Sequence, residues 1–355
     1  MIEPTTSITV ANRRIGPGEP PFVIAEVSAN HNHSLERAKA IIDAAAAAGV
    51  DAIKLQTYTA DSLTIDVAGN EFEVQEADSL WAHKNLYQLY QEAAMPYEWH
   101  APLFAHARQL GLLAFSTPFD EAGVALLEEL DVPLYKVASC ESVDLGLIAA
   151  IARTGKPMII STGMASLEEM AEAVSCARDH GCRDLILLKC VVSYPADPKD
   201  YNLRTIPDMA DRFGVQVGLS DHTLGVGTAV ASVCLGATVI EKHMTLSRSD
   251  GGVDDAFSTE PAEMAQLVEA CRVAQAALGQ VDYGLGEAET ANRKYRRSLY
   301  FVRDVAAGEV LTADDVRSIR PGMGLKPKHL AAVLGKPVKQ AVAKGTPVAW
   351  DLLNT

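Results

Sequence analysis

The chain alternates short apolar runs with longer stretches in which apolar residues recur at helical spacing. Eight of the runs have the length of strands and are almost continuously apolar, as expected for parallel strands that are covered on both faces. These runs are residues 22–27, 52–58, 112–119, 134–139, 157–163, 185–193, 216–222 and 237–244.

Most of these runs lead into a predicted helix with recognisable ends. Ser34 begins a helix that stops at Gly49, and Ser166 with Glu169 forms a capping box for a helix that stops at Gly181. Eight such units over roughly 250 residues predict a TIM (β/α)8 barrel. A doubly wound open sheet is the alternative, and the even repetition favours the closed barrel.

Residues 60–98 are too long for a simple connection between a strand and a helix. The large aromatic side chains in this segment and the residue that follows it include Trp81, Tyr87, Tyr90 and Trp99. Aromatic residues favour a lid that packs over the barrel. A decoration of the surface is the other interpretation.

The character of the sequence changes near residue 280. We predict a barrel domain over residues 1–280, a linker over 281–297 and a small β-rich domain over 298–355. Within that last domain, residues 305–314 resemble residues 342–351, with glycine, branched apolar residues and aspartate at matching offsets. The repeat predicts two related hairpin halves.

Composition narrows the class of protein. The chain has 355 residues, of which 48% are hydrophobic and 22% are charged, and its formal net charge is −15. Such an acidic chain is a poor partner for nucleic acid or an anionic membrane. We see no run long enough to span a bilayer and no secretory signal. The six scattered cysteines are typical of reduced core thiols, so we expect a cytoplasmic protein.

Polar residues collect where the predicted strands end. In a TIM barrel these ends meet at one mouth, which is where the active site lies. Any single one of these residues has a structural explanation, but charged residues are rarely buried without partners. The polar residues at or just after the strand ends include Glu26, Lys54, Gln56, Thr117, Lys136, Ser139, Glu141, Lys189, Tyr194, Ser220, His222, Glu241 and His243.

Two kinds of chemistry follow from this set. His222 and His243 end adjacent strands, so with an oxygen ligand from Asp254 or Glu26 they suit Mn²⁺, Mg²⁺, Co²⁺ or Zn²⁺. Lys54 and Lys136, with nearby hydroxyls, suit a phosphate and a carboxylate. The sequence has no glycine-rich nucleotide-binding motif after a strand.

Several motifs resemble those of the sialic acid synthase family, the phosphoenolpyruvate-dependent nonulosonic acid synthases. The resemblance covers essentially the whole chain, and the tail, with IRPGMG from residue 319, is similar to that family's antifreeze-like SAF domain. Within the family, KLQTYT from residue 54 and TLSRSDGGVDDAFS from residue 245 are most similar to pseudaminic acid synthases. The other motifs are FVIAEVSANHN from residue 22, FSTPFD from 115, YKVAS from 135, ISTGM from 160, GLSDHT from 218 and IEKHM from 240.

The resemblance implies a reaction and a set of roles. Phosphoenolpyruvate, 2,4-diacetamido-2,4,6-trideoxy-L-altropyranose and water would give pseudaminic acid and phosphate by C–O cleavage, with a divalent metal ion (Mn²⁺, Mg²⁺ or Co²⁺) activating the aldehyde. The implied metal ligands are His222 and His243, and the implied sugar contacts are Tyr194 and Arg320. Phosphoenolpyruvate contacts fall on Lys54, Thr117, Lys136, Ser139 and Ser220. Catalytic positions fall on Glu26, Gln56, Glu141, Glu241 and Asp254.

The resemblance also implies a homodimer in which each SAF domain caps the partner's barrel. One position departs from the family pattern: Val192 stands where some N-acetylneuraminate synthases have asparagine, so either Ser193 substitutes or the phosphate site differs. Alternative functions are N-acetylneuraminate or legionaminate synthesis, a Schiff-base aldolase using Lys136 or Lys189, and a non-enzymatic glycan- or ice-binding protein.

Overall fold

A computed structural model describes residues 7–75, 80–82 and 84–354 of the chain. The chain divides into two compact units, Met1–Gly279 and Gln280–Thr355. The role of residues 281–297 as a linker stays a prediction. In the described part of the chain, no helix is both long enough and apolar enough to cross a bilayer.

The first unit begins with an antiparallel hairpin, β1 (Ile8–Val10) and β2 (Arg13–Ile15). Eight parallel strands follow and form a closed barrel, because the last of them pairs with the first. They are β3 (Phe22–Glu26), β4 (Ala52–Thr57), β5 (Leu113–Pro118), β6 (Tyr135–Val137), β7 (Met158–Ser161), β8 (Leu185–Cys190), β9 (Gln216–Asp221) and β10 (Val239–His243). The predicted TIM barrel is confirmed.

Helices connect the strands, and most of them cover the outside of the barrel. They are α1 (Leu35–Ala48), α2 (Ala60–Leu63), α3 (Leu86–Ala93), α4 (Tyr97–Gln109), α5 (Glu121–Glu129), α6 (Leu145–Ala152), α7 (Leu167–Asp179), α8 (Thr205–Phe213), α9 (Gly227–Cys234) and α10 (Pro261–Leu278). Short 3-10 helices lie at Asn70–Phe72, Cys140–Val143, Pro198–Asp200, Arg248–Asp250 and Asp255–Phe257.

Local sequence explains where the helices begin and end. The Ser34 side chain accepts a hydrogen bond from the Arg37 N–H, and Gly49 adopts a left-handed conformation (φ 82°) after α1. The predicted capping box of α7, formed by Ser166 and Glu169, is confirmed. That helix ends at Asp179, two residues before Gly181.

Several observed strands are shorter than the predicted runs, mostly at their carboxyl ends. The run 185–193, for example, yields a strand that ends at Cys190. Of the residues that follow this strand, Val192 and Tyr194 line the cavity at the mouth of the barrel.

The expectation that the cysteines are core thiols is only partly right. Cys182, Cys190 and Cys271 are buried, whereas Cys140 and Cys234 are exposed. Both exposed cysteines lie at the ends of short helices, where the barrel's own core does not cover them.

The second unit is small and mostly irregular. It contains α11 (Glu287–Asn292), the antiparallel strands β11 (Ser298–Phe301) and β12 (Val316–Ile319), and α12 (Leu330–Val333). Its 3-10 helices are Arg293–Tyr295, Pro327–His329 and Trp350–Leu352. A separate apolar core, including Leu299, Phe301 and Val348, stabilises it.

The predicted sequence repeat has a structural counterpart in this unit. Val305 and Val342, the first residues of the two copies, exchange a pair of backbone hydrogen bonds of 2.9 Å. Gly308 and Gly345, at the fourth position of each copy, both adopt left-handed backbone, with φ of 82° and 87°. The two copies therefore pair as equivalent halves.

Candidate active site

A cavity of about 470 Å³ opens at the carboxyl ends of the barrel strands. Most of the side chains predicted from the strand ends and from the resemblance line it, which confirms that they converge. These residues are Lys54, Gln56, Lys136, Ser139, Glu141, Tyr194, Ser220, His222, Glu241, His243 and Asp254.

The remaining predicted residues are not among the described residues that line the cavity. Glu26 and Thr117 contact the Lys54 ammonium group, with 3.2 Å between Lys54 Nζ and Thr117 Oγ1. Arg320 lies in the second unit, on the exposed surface that follows β12. Lys189, a candidate for a Schiff base, lies outside the set of described residues that line the cavity.

Two lysines and two glutamates form the charged floor of the cavity. Lys54 forms an ion pair with Glu26 and lies 3.6 Å from Glu241 Oε1, and Lys136 Nζ lies 4.0 Å from the same oxygen. All four side chains are buried. The free-energy cost of removing charges from water can exceed the gain from their mutual attraction. We therefore attribute the cluster to function rather than to stability.

Burial also changes how these groups ionise. It lowers the pKa of Lys54 to about 8; Glu241 opposes that shift and Lys136 adds to it. On the carboxyl side, burial raises the pKa of Glu141 and of Asp254. The cavity therefore holds ionisable groups whose proton affinities lie closer together than in water, as is common in active sites.

His222 and His243 lie next to each other, with 5.3 Å between their ring centroids. His222 Nδ1 is 2.8 Å from the Val191 carbonyl oxygen, and its backbone N–H donates to the Tyr201 hydroxyl. A backbone carbonyl on one ring nitrogen is the usual way to orient an imidazole whose other nitrogen binds a metal ion.

His243 supplies the second half of this pair. Burial lowers its pKa well below the usual range, which favours the neutral imidazole that binds metals. Its Nδ1 is buried and has no hydrogen-bond partner among the described residues. The pair thus fits a divalent metal ion. No group of three or more His, Cys, Asp or Glu side chains in the described chain could hold one alone, so other ligands would have to complete the coordination.

Tyr194 packs against the histidine pair. Its ring centroid lies 4.4 Å from that of His222 and 5.0 Å from that of Phe257, while Trp81 lies 5.6 Å away on the lid. These rings form an aromatic cover beside the histidines.

Asp254 reaches the cavity from the loop that follows β10. Its carboxylate accepts hydrogen bonds from the Ser28 hydroxyl and from the Ala29 N–H, the latter at 3.4 Å. The next residue, Asp255, is fully buried and accepts from the Gly252 N–H at 2.6 Å. The loop that carries Asp254 is therefore fixed by its own hydrogen bonds.

A tight subsite surrounds Gly163. The Gly163 N–H donates to Ser139 Oγ at 3.1 Å, and a Cβ atom on Gly163 would lie 2.6 Å from Val192 Cγ2. Val192 lines the cavity, whereas the Ser193 hydroxyl donates to the Pro195 carbonyl at 3.1 Å. The Ser193 hydroxyl is therefore engaged within its own loop, and Val192 is the residue of this pair that lines the cavity.

Sequence reasoning missed several cavity residues, Cys190 among them. It pairs with Ser220 in the ladder between β8 and β9, so both side chains point the same way. Strand alternation could have identified Cys190. Its partner Ser220 faces the mouth, so Cys190 faces the mouth as well, and the preceding residue, Lys189, faces away. Phe257 was missed as well, since no short-range pattern marks it, whereas Trp81 was predicted only as part of the lid.

The lid predicted over residues 60–98 packs over the cavity where the structure describes it. The Trp81 indole N–H donates to the Val253 carbonyl at 3.0 Å, and Tyr90 lies beside Tyr58, 6.3 Å between centroids. Trp99, in contrast, lies in α4, and its ring lies 5.7 Å from that of His31, away from the cavity lining.

These observations define a class: a (β/α)8 barrel with a lysine and histidine site at its mouth, followed by a small β-rich unit. A model of the NeuB family matches residues 41–283, and a model of the SAF domain matches residues 296–354. The chain belongs to the NeuB family, which confirms the resemblance to sialic acid synthases.

Individual relatives agree. The pseudaminic acid synthase of Helicobacter pylori is 41% identical over 94% of this chain and 98% of its own length. The N,N'-diacetyllegionaminic acid synthase of Legionella pneumophila is 34% identical over 93% of this chain and 94% of its own. A crystal structure of N-acetylneuraminic acid synthetase from Leptospira borgpetersenii has a TM-score of 0.72 and 32% identity over 81% of this chain and 95% of that one.

Proposed function

We propose that this chain is a pseudaminic acid synthase. It would join phosphoenolpyruvate to 2,4-diacetamido-2,4,6-trideoxy-L-altropyranose, consume one water and release phosphate. The observation that carries the proposal is that buried lysines and an adjacent pair of histidines open into one cavity. Similarity to pseudaminic acid synthases over nearly the whole chain supports the choice of sugar.

The lysines account for binding of the anionic substrate. In our proposal Lys54 and Lys136, with hydroxyls from Thr117, Ser139 and Ser220, hold the phosphate and carboxylate of phosphoenolpyruvate. Glu26 and Glu241 already partner these lysines, so the substrate competes with carboxylates for them.

The carbon–carbon bond then forms between C3 of phosphoenolpyruvate and the sugar aldehyde. When held by His222 and His243, a divalent ion such as Mn²⁺, Mg²⁺ or Co²⁺ would supply Lewis-acid polarisation of that aldehyde. Tyr194 and Gln56 would position the sugar. Positive charge develops at C2, next to the carboxylates of the floor, which stabilise it through charge.

Water adds at C2 in the last step. Glu26 is our candidate to take the proton from that water, because its carboxylate lies beside Lys54 at the end of β3. The C–O bond to phosphate then breaks, and phosphate leaves. We propose catalytic positions for Glu141, Glu241 and Asp254 around the same intermediate.

One assay tests the function. Phosphate release from phosphoenolpyruvate is measured with the altrose, mannosamine and legionaminate precursors in parallel, with and without chelator. We expect turnover with the altrose derivative, lost on chelation and restored by a divalent ion. Faster release with another precursor would assign the chain to N-acetylneuraminate or legionaminate synthesis, and borohydride trapping of pyruvate would indicate a Schiff-base enzyme.

We further propose a cytoplasmic homodimer in which each SAF domain places Arg320 over the partner's barrel. Basic residues outnumber acidic ones in residues 280–355, while acidic residues outnumber basic ones in the rest of the chain. This difference in charge favours docking of the basic SAF domain of one subunit onto the acidic barrel of its partner. Arg320 is exposed, as a residue that reaches a partner must be.

Complementation tests this exchange of SAF domains, in which each domain caps the barrel of the partner. Chains carrying His243→Ala are mixed with chains carrying Arg320→Ala, each inactive or impaired alone. A mixed dimer then has one barrel with intact histidines capped by an intact arginine, so activity should return. Failure to regain activity in a verified mixed dimer would contradict the exchange.

A further inference from the structure

Part of the described cavity lining is hydrocarbon. Its side chains come from the segment between β4 and α4, which is not part of the barrel. We call this surface the apolar wall, and it consists of Leu63, Val74, Trp81, Leu86 and Leu89. The described strand ends supply ionic and hydroxyl groups, whereas this wall supplies almost none.

The wall is held in place before any ligand binds. Asn85 caps α3, accepting from the N–H groups of Tyr87 and Gln88 at 2.9 and 3.2 Å, and this fixes the helix turn that carries Leu86. The Asn85 amide also donates to the Val67 carbonyl at 2.8 Å. Leu63 also packs on a small apolar cluster built around Tyr58.

The five side chains of the wall offer a ligand no available polar group; Tyr58 and Tyr90, from the same segment, also line the cavity and carry hydroxyls, but they are not part of the wall. Leu63, Val74, Leu86 and Leu89 carry only carbon beyond the backbone, and the Trp81 N–H is engaged by Val253. A hydroxyl buried there would lose its hydrogen bonds with water, which is costly, whereas a methyl group would gain from burial.

We propose that the apolar wall selects a sugar whose terminal carbon is a methyl group instead of a hydroxymethyl group. This inference rests on the proposed function, in which the aldehyde end of the sugar meets His222 and His243. The far end of the open chain then points away from the floor. Acetamido groups carry an N–H and a carbonyl that need partners, so the deoxygenated carbon is the group that fits the wall.

The test compares two substrates that differ at one atom. The kcat/KM for the 6-deoxy altrose derivative is divided by that for the same sugar with a hydroxyl on C6. We expect the unmodified enzyme to prefer the deoxy sugar by on the order of 100-fold, the usual scale for a hydrophobic pocket that meets an added hydroxyl. Leu86→Asn and Leu63→Asn should each reduce this ratio about tenfold.

Ile65→Asn is the matched control. Ile65 lies two residues beyond Leu63, is 57% exposed and is outside the described cavity lining, so its replacement should leave the ratio unchanged. Circular dichroism checks that each variant is folded, and either wall variant suffices.

The outcomes separate this inference from the proposed function. If the unmodified enzyme releases no phosphate with the deoxy sugar, the proposed function fails. If it accepts both sugars equally well, or if folded wall variants keep the original ratio, the wall does not select the methyl group. The comparison of the two sugars needs only the unmodified enzyme.

Discussion

The floor and the apolar wall of the cavity enclose the same space but are built differently. The floor comes from strand ends of a closed barrel and holds charged side chains that pair with one another. The wall comes from a long connection and holds leucine, valine and tryptophan. In our interpretation the floor carries out the chemistry and the wall chooses the sugar. A rigid scaffold therefore keeps its reactive groups fixed while a loop carries the specificity.

Single strands of the barrel also divide their side chains between two environments. Glu241 and His243 face the cavity, while Lys242 between them points the other way and pairs with Asp221 at 2.8 Å. Asp221 in turn lies between Ser220 and His222, both of which line the cavity. A buried ion pair on the outer face thus joins β9 and β10 directly behind the two histidines.

Loss of a histidine should have the largest effect on catalysis. We expect His243→Ala to reduce kcat by about four orders of magnitude, because it removes a metal ligand and the polarisation that the ion would supply. Calorimetry should show weakened binding of Mn²⁺ as well. His106→Ala, which alters a histidine on the surface of α4, is the control. Near-normal turnover and metal binding in His243→Ala would exclude it as a ligand.

Glu26 should come next. We expect Glu26→Gln to lower kcat about 100- to 1,000-fold while phosphoenolpyruvate still binds, since the amide keeps the shape but cannot take a proton. Binding is measured by calorimetry and kcat by phosphate release. A variant that turns over at nearly the normal rate would remove Glu26 from the mechanism. Weakened binding with kcat unchanged would assign it to the substrate site instead.

The subsite around Gly163 tests the floor at the level of single atoms. We expect Gly163→Ala to raise the KM for phosphoenolpyruvate about 10- to 100-fold, because the new Cβ would lie 2.6 Å from Val192 and 2.8 Å from Ser139 Oγ. Gly227→Ala is the matched control, since a Cβ there meets nothing within 4 Å. An unchanged KM in a folded Gly163→Ala protein would place the phosphate elsewhere.

The sequence predicted the floor well because strand periodicity and barrel closure together decide which way its residues point. Even there, one prediction was wrong by a single position. Lys189 was chosen as a candidate because of its charge, whereas its neighbour Cys190 lines the cavity. The wall was harder to predict. The segment from residue 60 to 98 has no repeating pattern, and which of its side chains reach the cavity depends on distant partners such as Val253. The aromatic content predicted a lid without predicting its apolar surface.

The pH dependence of substrate binding reports on Lys54. Its pKa of about 8 means that the ammonium form predominates below pH 8 and is lost above it. Since phosphoenolpyruvate binds the charged form, KM should be flat below pH 8 and rise about tenfold for each further pH unit. In Lys54→Arg the guanidinium stays charged, and the break should disappear. The same break in that variant would assign the titration to another group.

Trp81 should give the smallest effect, and it separates anchoring of the wall from its selectivity. Trp81→Phe keeps an apolar ring but loses the indole N–H that donates to the Val253 carbonyl at 3.0 Å. A hydrogen bond of this kind contributes about 0.5–1.5 kcal/mol, so the KM for the sugar should rise roughly two- to tenfold. The KM for phosphoenolpyruvate and the preference for the deoxy sugar should not change, because the floor is intact and the leucines remain. A fall in the preference for the deoxy sugar would show that selectivity depends on how Trp81 anchors the lid. Selectivity could then not be assigned to the apolar wall alone.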